Sequence, residues 1–254
     1  MTARKTVIIT GAGTGIGRAT ALRFARDGYN VVLNGRNREA LTQVANEIGT
    51  DVVLIAPGDV ANKADVETVV DAATRHFGGI DVVINNAGVV HPGIAEMLND
   101  QNFESMMAIN VGGVRNMVLA ALPALRKSRG NVVNVTSVSG MGGDWGMYGY
   151  NASKGAVTLM TQGLALDLGK EGIRVNAVAP ATTNTRLTAP LQHAPRVSSA
   201  LRRRIPMGRM VEPEEVASAI AFLAGPDAAF VNGVILPVDG GLSASNGQPD
   251  FTDQ

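Results

Sequence analysis

Seven short runs of mostly apolar residues punctuate the chain, at 6–10, 30–34, 51–56, 81–85, 131–136, 173–179 and 233–238. They are rich in valine and isoleucine and are continuous rather than alternating. A strand with two apolar faces is one covered on both sides, as in a parallel sheet. Between the runs lie stretches of helix length, at 17–28, 38–49, 63–78, 100–127, 150–172 and 212–225. Strand and helix alternate from end to end. The pattern predicts an α/β fold: a doubly wound, seven-stranded parallel sheet with helices on both faces. Right-handed crossovers then bring all the strand carboxyl ends to one edge, where ligands of such sheets bind.

The alternation breaks once, at 181–210, "ATTNTRLTAPLQHAPRVSSALRRRIPMGRM". Three prolines limit its conformations, and its Thr, Asn and Ser residues leave little to bury. Because it follows the sixth strand it starts at the ligand edge, so residues 182–210 read as a substrate loop or lid; a rigid connecting loop is the alternative. The triplet Arg202–Arg204 reads as a solvated face. The polar tail 243–254 reads as mobile or as reaching a neighbouring subunit. With no repeat and no linker, residues 1–254 read as one domain.

Composition narrows the function. The 254 residues are 45% hydrophobic, enough for a core without staples. There is no cysteine, hence no disulfide framework, thiolate metal site or cysteine nucleophile. Lysine plus arginine and aspartate plus glutamate balance at 22 each, which gives no reason to expect a nucleic-acid or membrane-surface partner. The first apolar run is too short for a signal peptide. No window nears ~20 uninterrupted apolar residues. The expectation is a soluble, cytoplasmic protein.

"TGAGTGIG" follows the first strand, with glycines at 11, 13, 15 and 17. The common dinucleotide spacing G-x-G-x-x-G needs glycine at 16 or 18, where Ile16 and Arg18 stand, and a Walker loop needs Gly-Lys. What fits is G-x-x-x-G-x-G: Gly11 for the turn, Gly15 for close approach to a pyrophosphate, Gly17 for helix packing. Alone, it is a phosphate cradle or an ordinary strand–helix turn. At the end of the second strand an NAD site places a carboxylate on the ribose hydroxyls. Here Gly35 stands there, followed by Arg36, whose guanidinium can fork onto a 2′-phosphate. A surface arginine opening a helix is the other reading. The residues favour NADP(H) over NAD(H).

"YGYNASK" sets Tyr150 and Lys154 four apart, on one face of a helix. An ammonium beside a phenol favours phenolate and lowers its pKa, fitting Tyr150 for proton exchange with a carbonyl oxygen. Tyr148 falls off that face.

In order and spacing these motifs resemble the short-chain dehydrogenase/reductase family, over nearly the whole chain. "TGAGTGIG" matches its T-G-x-x-x-G-x-G. Asp59–Val60 resembles its adenine-binding pair, and "NNAG" at Asn85–Gly88 its motif after strand four. Asn110 stands at its catalytic asparagine, Ser137 lies thirteen before Tyr150 like its catalytic serine, and "VDGG" at Val238–Gly241 closes the pattern. The resemblance implies a Rossmann-type domain and an oxidoreductase that moves hydride between a nicotinamide cofactor and a carbonyl or alcohol. Asn110, Ser137, Tyr150 and Lys154 would be catalytic. Tyr150 is the acid/base; Lys154 lowers its pKa and bonds the nicotinamide ribose; Ser137 polarises the substrate oxygen; Asn110 holds a water. Gly11, Thr14, Gly15, Ile16, Gly17, Arg36, Asp59, Val60, Asn86, Ala87, Gly88, Tyr150, Lys154, Pro180, Thr183 and Thr185 would bind cofactor.

Two departures stand out. Where the family reads P-G-x-[IV]-x-T, this chain has "PATTNT", with Ala181 for glycine and Thr183 for the aliphatic that touches the carboxamide. NADP-preferring relatives often carry a basic residue where Thr14 stands. The resemblance also implies a homotetramer that pairs the helices beginning near Asp100 and Tyr150.

Ser137, Met141, Trp145, Tyr150 and Leu187 are candidate substrate-pocket residues, as are His91, Met147 and His193; the histidines lack metal-ligand spacing. A 3-oxoacyl thioester, a sugar or polyol, and a small ketone all remain as substrates. The alternatives are an NAD-linked sugar or alcohol dehydrogenase and a non-catalytic dinucleotide-binding regulator, which would not need Ser137, Tyr150 and Lys154 together.

Overall fold

The structure, a computed structural model, describes residues 4–192 and 194–248. Strands β1 (Thr6–Thr10), β2 (Asn30–Gly35), β3 (Val53–Pro57), β4 (Val82–Asn85), β5 (Asn131–Val135), β6 (Arg174–Pro180) and β7 (Ile235–Val238) form one sheet. Every pairing is parallel, in the order β3-β2-β1-β4-β5-β6-β7. This is the doubly wound, Rossmann-type arrangement expected. The chain runs outward from β1 to β3, then restarts at β4 beside β1. That reversal opens a crevice above the carboxyl ends of β1 and β4.

The helices are α1 (Gly15–Arg26), α2 (Arg38–Ile48), α3 (Lys63–Phe77), α4 (Asp100–Met106), α5 (Gly113–Ser128), α6 (Tyr148–Gly169), α7 (Ala189–Gln192), α8 (Pro195–Arg204) and α9 (Pro213–Ala224). Successive residues of β1 feed opposite cores. Ile8 packs with Val69, Met117 and Val157 under α3, α5 and α6, whereas Val7 and Ile9 pack with Phe24, Leu41 and Ile220 under α1, α2 and α9. All three β1 residues are wholly buried, each contributing ~1.5–3 kcal/mol. This two-sided burial is why the strands read as unbroken apolar runs.

Four expectations need correction. The third strand does not begin at 51: Thr50–Val52 form a 3-10 turn that leaves Asp51 exposed, and β3 starts at Val53. The seventh is not covered on both faces, because β7 is an edge strand with every residue at least partly exposed. The helix expected over 100–127 is interrupted by a π-helical segment, Met107–Gly112, between α4 and α5. Finally, the break in the alternation at 181–210 is not free of helix. It contains α7 and α8, with Pro195 in the first turn of α8, where its missing N–H costs nothing. His193 lies outside the described residues, as do 249–254 of the tail.

The stretch Asp100–Ser128 is long and apolar enough to cross a membrane by length and composition. Its Val114, Met117, Val118, Ala121 and Leu125 are buried in the core beneath the sheet, the packing of a sheet-covering helix.

Candidate active site

The carboxyl ends of β1 and β4 are tied together by Thr10 and Asn86. Thr10 Oγ1 accepts from the backbone N–H groups of Asn86 (2.9 Å) and Ala87 (3.0 Å). Asn86 Nδ2 in turn donates to the carbonyls of Thr10 (2.9 Å) and Gly11 (3.2 Å). The Asn86 side chain therefore holds the glycine loop in shape. Thr10 was missed as a structural partner, although it is the first letter of the motif.

Above this seam, Gly11 takes φ +64° to turn the chain into α1. A Cβ on Gly17 would stand 2.2 Å from the Gly11 carbonyl oxygen, so only glycine lets the helix sit this close. Thr14, the N-cap of α1, makes no side-chain cap, and the first turn holds no acid. By contrast Asn37, Asn62 and Asn99 cap α2, α3 and α4. The first turn of α1, Gly15–Ile16–Gly17, thus has amides that no capping side chain claims, at the positive end of a helix. This cradle fits a dinucleotide pyrophosphate. A cleft of about 390 Å³ flanks it, lined by Arg18, Thr185 and Arg186 among others. Arg186, which sequence reasoning passed over, adds a cation there.

Thr185 lies against Gly15, where a Cβ would come within 3.0 Å of its Cγ2. Pro180 ends β6, and Thr183 is buried, its Oγ1 donating to the Ala181 carbonyl at 3.0 Å. Across the crevice Arg36 follows β2 directly. Its Nη1 is 3.9 Å from Asp59 Oδ2, with the Arg36 side chain 67% exposed. Val60 is buried, and the Val60 carbonyl accepts from Asn116 Nδ2 at 3.0 Å. Arg36 and the Asp59–Val60 pair therefore flank the ends of β2 and β3.

Ser137, two residues beyond β5, has its hydroxyl near enough to the Tyr150 phenol to lower its pKa. Lys154, one turn along α6, is buried; its Nζ donates to the Val135 carbonyl at 2.8 Å and lies 5.8 Å from the Tyr150 ring centroid. Asn110 sits inside the π segment, 1% exposed. Its Oδ1 accepts from Val89 N (2.8 Å), and its Nδ2 donates to Val89 O (2.9 Å) and Ser153 Oγ (3.0 Å). Ser153 Oγ donates to the Tyr150 carbonyl at 2.8 Å, a link sequence reasoning missed. Gly88 completes the floor: a Cβ there would meet Asn110 Oδ1 at 3.2 Å and Lys154 Nζ at 3.6 Å. The four expected catalytic residues are brought to one place.

The electrostatics correct one expectation. Burial pushes the Tyr150 phenol up to about 12, against the nearby Ser137 hydroxyl, which lowers it; the charge of Asp144 raises it further. Burial pulls Lys154 down to about 8. Desolvation, not the ammonium, dominates the phenol here, because Lys154 is directed at a carbonyl rather than at the Tyr150 hydroxyl. Tyr150 is thus a protonated acid at neutral pH.

The expected substrate-pocket residues stand less closely together. Met141 is 47% exposed, Leu187 61% and Trp145 99%, so Trp145 packs against nothing. Tyr148 stacks on Phe103 at 6.3 Å, away from the reacting group. His91 and Met147 are half-buried.

A dinucleotide cradle beside a Ser–Tyr–Lys set defines a nicotinamide-linked oxidoreductase, and comparison with known proteins agrees. Residues 11–243 match the family model described as enoyl-(acyl carrier protein) reductase. The chain is 41% identical to the meso-2,3-butanediol dehydrogenase of Serratia marcescens, covering 96% of this chain and 97% of that one. It is 36% identical to a 3-oxoacyl-(acyl-carrier-protein) reductase of Thermotoga maritima, covering 94% and 97%. The structure superimposes on a 3-ketoacyl-(acyl-carrier-protein) reductase from Brucella melitensis complexed with NADH. That match has a TM-score of 0.90 and 36% identity, and covers 96% of this chain and 100% of that one. It also superimposes on an actinorhodin polyketide ketoreductase variant with NADPH, with a TM-score of 0.90, 31% identity and coverage of 95% and 98%. The chain belongs to the short-chain dehydrogenase/reductase family. It is an NAD(P)-dependent enzyme that acts on CH–OH groups and the corresponding carbonyls.

Proposed function

We propose that the chain, working as one nucleotide-binding and catalytic unit, interconverts a small carbonyl compound and its alcohol, with NADP(H) preferred. The observation that carries this is the convergence of Ser137, Tyr150, Lys154 and Asn110 at the strand edge where α1 offers its uncapped first turn. The cofactor supplies or accepts the hydride. Tyr150, protonated at neutral pH, gives its phenolic proton to the carbonyl oxygen during reduction and takes one back during oxidation. Ser137 donates a hydrogen bond to the same oxygen. Lys154, still largely charged below its pKa of about 8, would bond the nicotinamide ribose and favour the phenolate as it forms. Asn110 anchors the loop after β4 to α6 and so sets the floor beneath Lys154.

NADP(H) is favoured because Gly35 offers no carboxylate and Arg36 is exposed beside it. The relatives with solved structures include one with NADH and one with NADPH, so an NAD-linked diol or sugar dehydrogenase is the alternative. The name of the 41%-identical relative favours a diol or hydroxyketone over an acyl thioester. Helices α5 and α6 leave Leu119, Leu159 and Leu166 exposed, which supports a homotetramer built on those helices.

A panel of hydroxyketones, sugars, simple ketones and 3-oxoacyl thioesters, run with both cofactors, tests this reading. Tyr150→Phe should abolish most turnover, a loss of 10² or more, while cofactor binding persists; Tyr148→Phe should be mild. If Tyr148→Phe were the more damaging change, the acid/base assignment would be wrong.

A further inference from the structure

We propose that Asp144 is a positioning residue of the reaction: acting through Ser139, it fixes the Ser137 hydroxyl as a donor toward the oxygen that Tyr150 protonates. The inference rests on the reading of Ser137 and Tyr150 as the reacting pair.

A serine hydroxyl has one proton and two lone pairs, and it rotates to suit its neighbours. At Ser137 the rotation is constrained. The backbone N–H of Ser139 donates to Ser137 Oγ at 3.1 Å, which occupies a lone pair and turns the proton away from Ser139. The hydroxyl is also near enough to the Tyr150 phenol to lower its pKa, so its proton is free for the reacting oxygen there. Ser137 can then give its proton to the substrate oxygen only while the Ser139 amide stays in place.

Ser139 lies in a single 3-10 turn, Val138–Gly140, closed by Gly140 N on the Ser137 carbonyl at 2.9 Å. The chain beyond it contains Gly142 and Gly143, each adding backbone freedom. Two outside contacts brace this turn. Ser139 Oγ donates to Asp144 Oδ2, a charge-assisted bond. Asn151, the residue after Tyr150, donates through Nδ2 to the carbonyls of Ser139 (2.8 Å) and Gly142 (2.9 Å), and its Oδ1 accepts from Asp144 N at 3.4 Å. Asp144 and Asn151 thus clamp the serine loop to the helix that carries the acid. Ser137 and Ser139 are buried, whereas Asp144 is exposed. A carboxylate on the outside therefore holds a buried amide that the reacting hydroxyl depends on. The charge of Asp144 is also felt at the Tyr150 phenol, which places the clamp within electrostatic reach of the reacting oxygen. Proton transfer itself stays with Tyr150.

The test is a mutant cycle read in kcat and KM, with the carbonyl substrate the wild type turns over fastest. Asp144→Ala should lower kcat about tenfold, the scale of one charge-assisted hydrogen bond, with KM for the nicotinamide cofactor unchanged and the melting temperature retained. Asp144→Asn, which still accepts from Ser139, should recover most of that loss. Ser139→Ala should reproduce Asp144→Ala, and the double variant should be no slower than either single one, because both break the same chain. In a Ser137→Ala background Asp144→Ala should have no further effect. An Asp144→Ala enzyme with wild-type kcat, losses that multiply in the double variant, or a loss that persists without Ser137 would each overturn the proposal. A Ser137→Ala enzyme as active as the wild type would instead sink the assignment of the reacting pair.

Discussion

Lys154 is a buried ammonium whose Nζ donates to the Val135 carbonyl at 2.8 Å. Burial lowers it from 10.5 to about 8, so at neutral pH the fold holds a charge it would rather lose. For a group whose folded pKa lies below its unfolded one, the unfolded chain binds more protons between those values. Stability therefore rises with pH from about 8 to 10.5. Lys154→Met should raise the melting temperature at pH 7 by roughly 2–4 °C while abolishing turnover. The gain should shrink as pH climbs through that window. Thermal scans at several pH values check this; a destabilised variant at pH 7 would mean that the bond to Val135 outweighs the desolvation.

The proposed preference for NADP(H) rests on Arg36. Its guanidinium is exposed and its contact with Asp59 at 3.9 Å is a weak one, so it is free to turn onto a 2′-phosphate. Arg36→Ala should weaken NADPH binding about tenfold or more, the worth of a charged hydrogen bond, and leave NADH binding nearly unchanged. Fluorescence titration with both cofactors reads the difference. Equal losses, or tighter binding of NAD(H) by the wild type, would remove Arg36 as the selector.

The proposed homotetramer would pair the outer faces of α5 and α6. Leu159 is 70% exposed and Leu166 82%, both on the helix that carries Tyr150 and Lys154. Leu159→Glu with Leu166→Glu should shift the mass measured by light scattering from a tetramer to smaller species and reduce activity by loosening α6. An unchanged mass would place the interface elsewhere.

The sheet and the nearness of Tyr150 to Lys154 were legible for physical reasons. Strands buried on both faces leave unbroken apolar runs, and Tyr150 and Lys154 must sit one helical turn apart to act together. What stayed hidden depends on contacts distant in sequence. The π segment that carries Asn110 inward is held by Val89 and Ser153, 21 and 43 residues away. The direction of the Tyr150 shift is set by the desolvation of its phenol, which spacing cannot report. Helix α8 escaped notice because its sequence, "PRVSSALRRR", is short and arginine-rich, with Ser198 its only buried residue. Asp144 lies in a glycine-rich stretch with no motif to mark it.

That same α8 bears on substrate access. It belongs to the segment 182–210, which leaves β6 at the cofactor edge, with Thr185 against the first turn of α1. At its far end Ile205 and Met210 are buried and Thr183 bridges to Val211, so the segment is fastened at both roots. Between them Leu187, Val197 and Met207 are exposed, and Arg202, Arg203 and Arg204 face solvent. An element anchored at its ends and poorly packed between them opens at low free-energy cost. We expect it to close over bound substrate, burying exposed apolar side chains and excluding water from the hydride step. Hydrogen exchange across 182–210 should be fast in the free enzyme and slow several-fold with cofactor and substrate analogue together, and by less with cofactor alone. Strong protection in the free enzyme, unchanged on binding, would make the segment a fixed wall of the site rather than its lid.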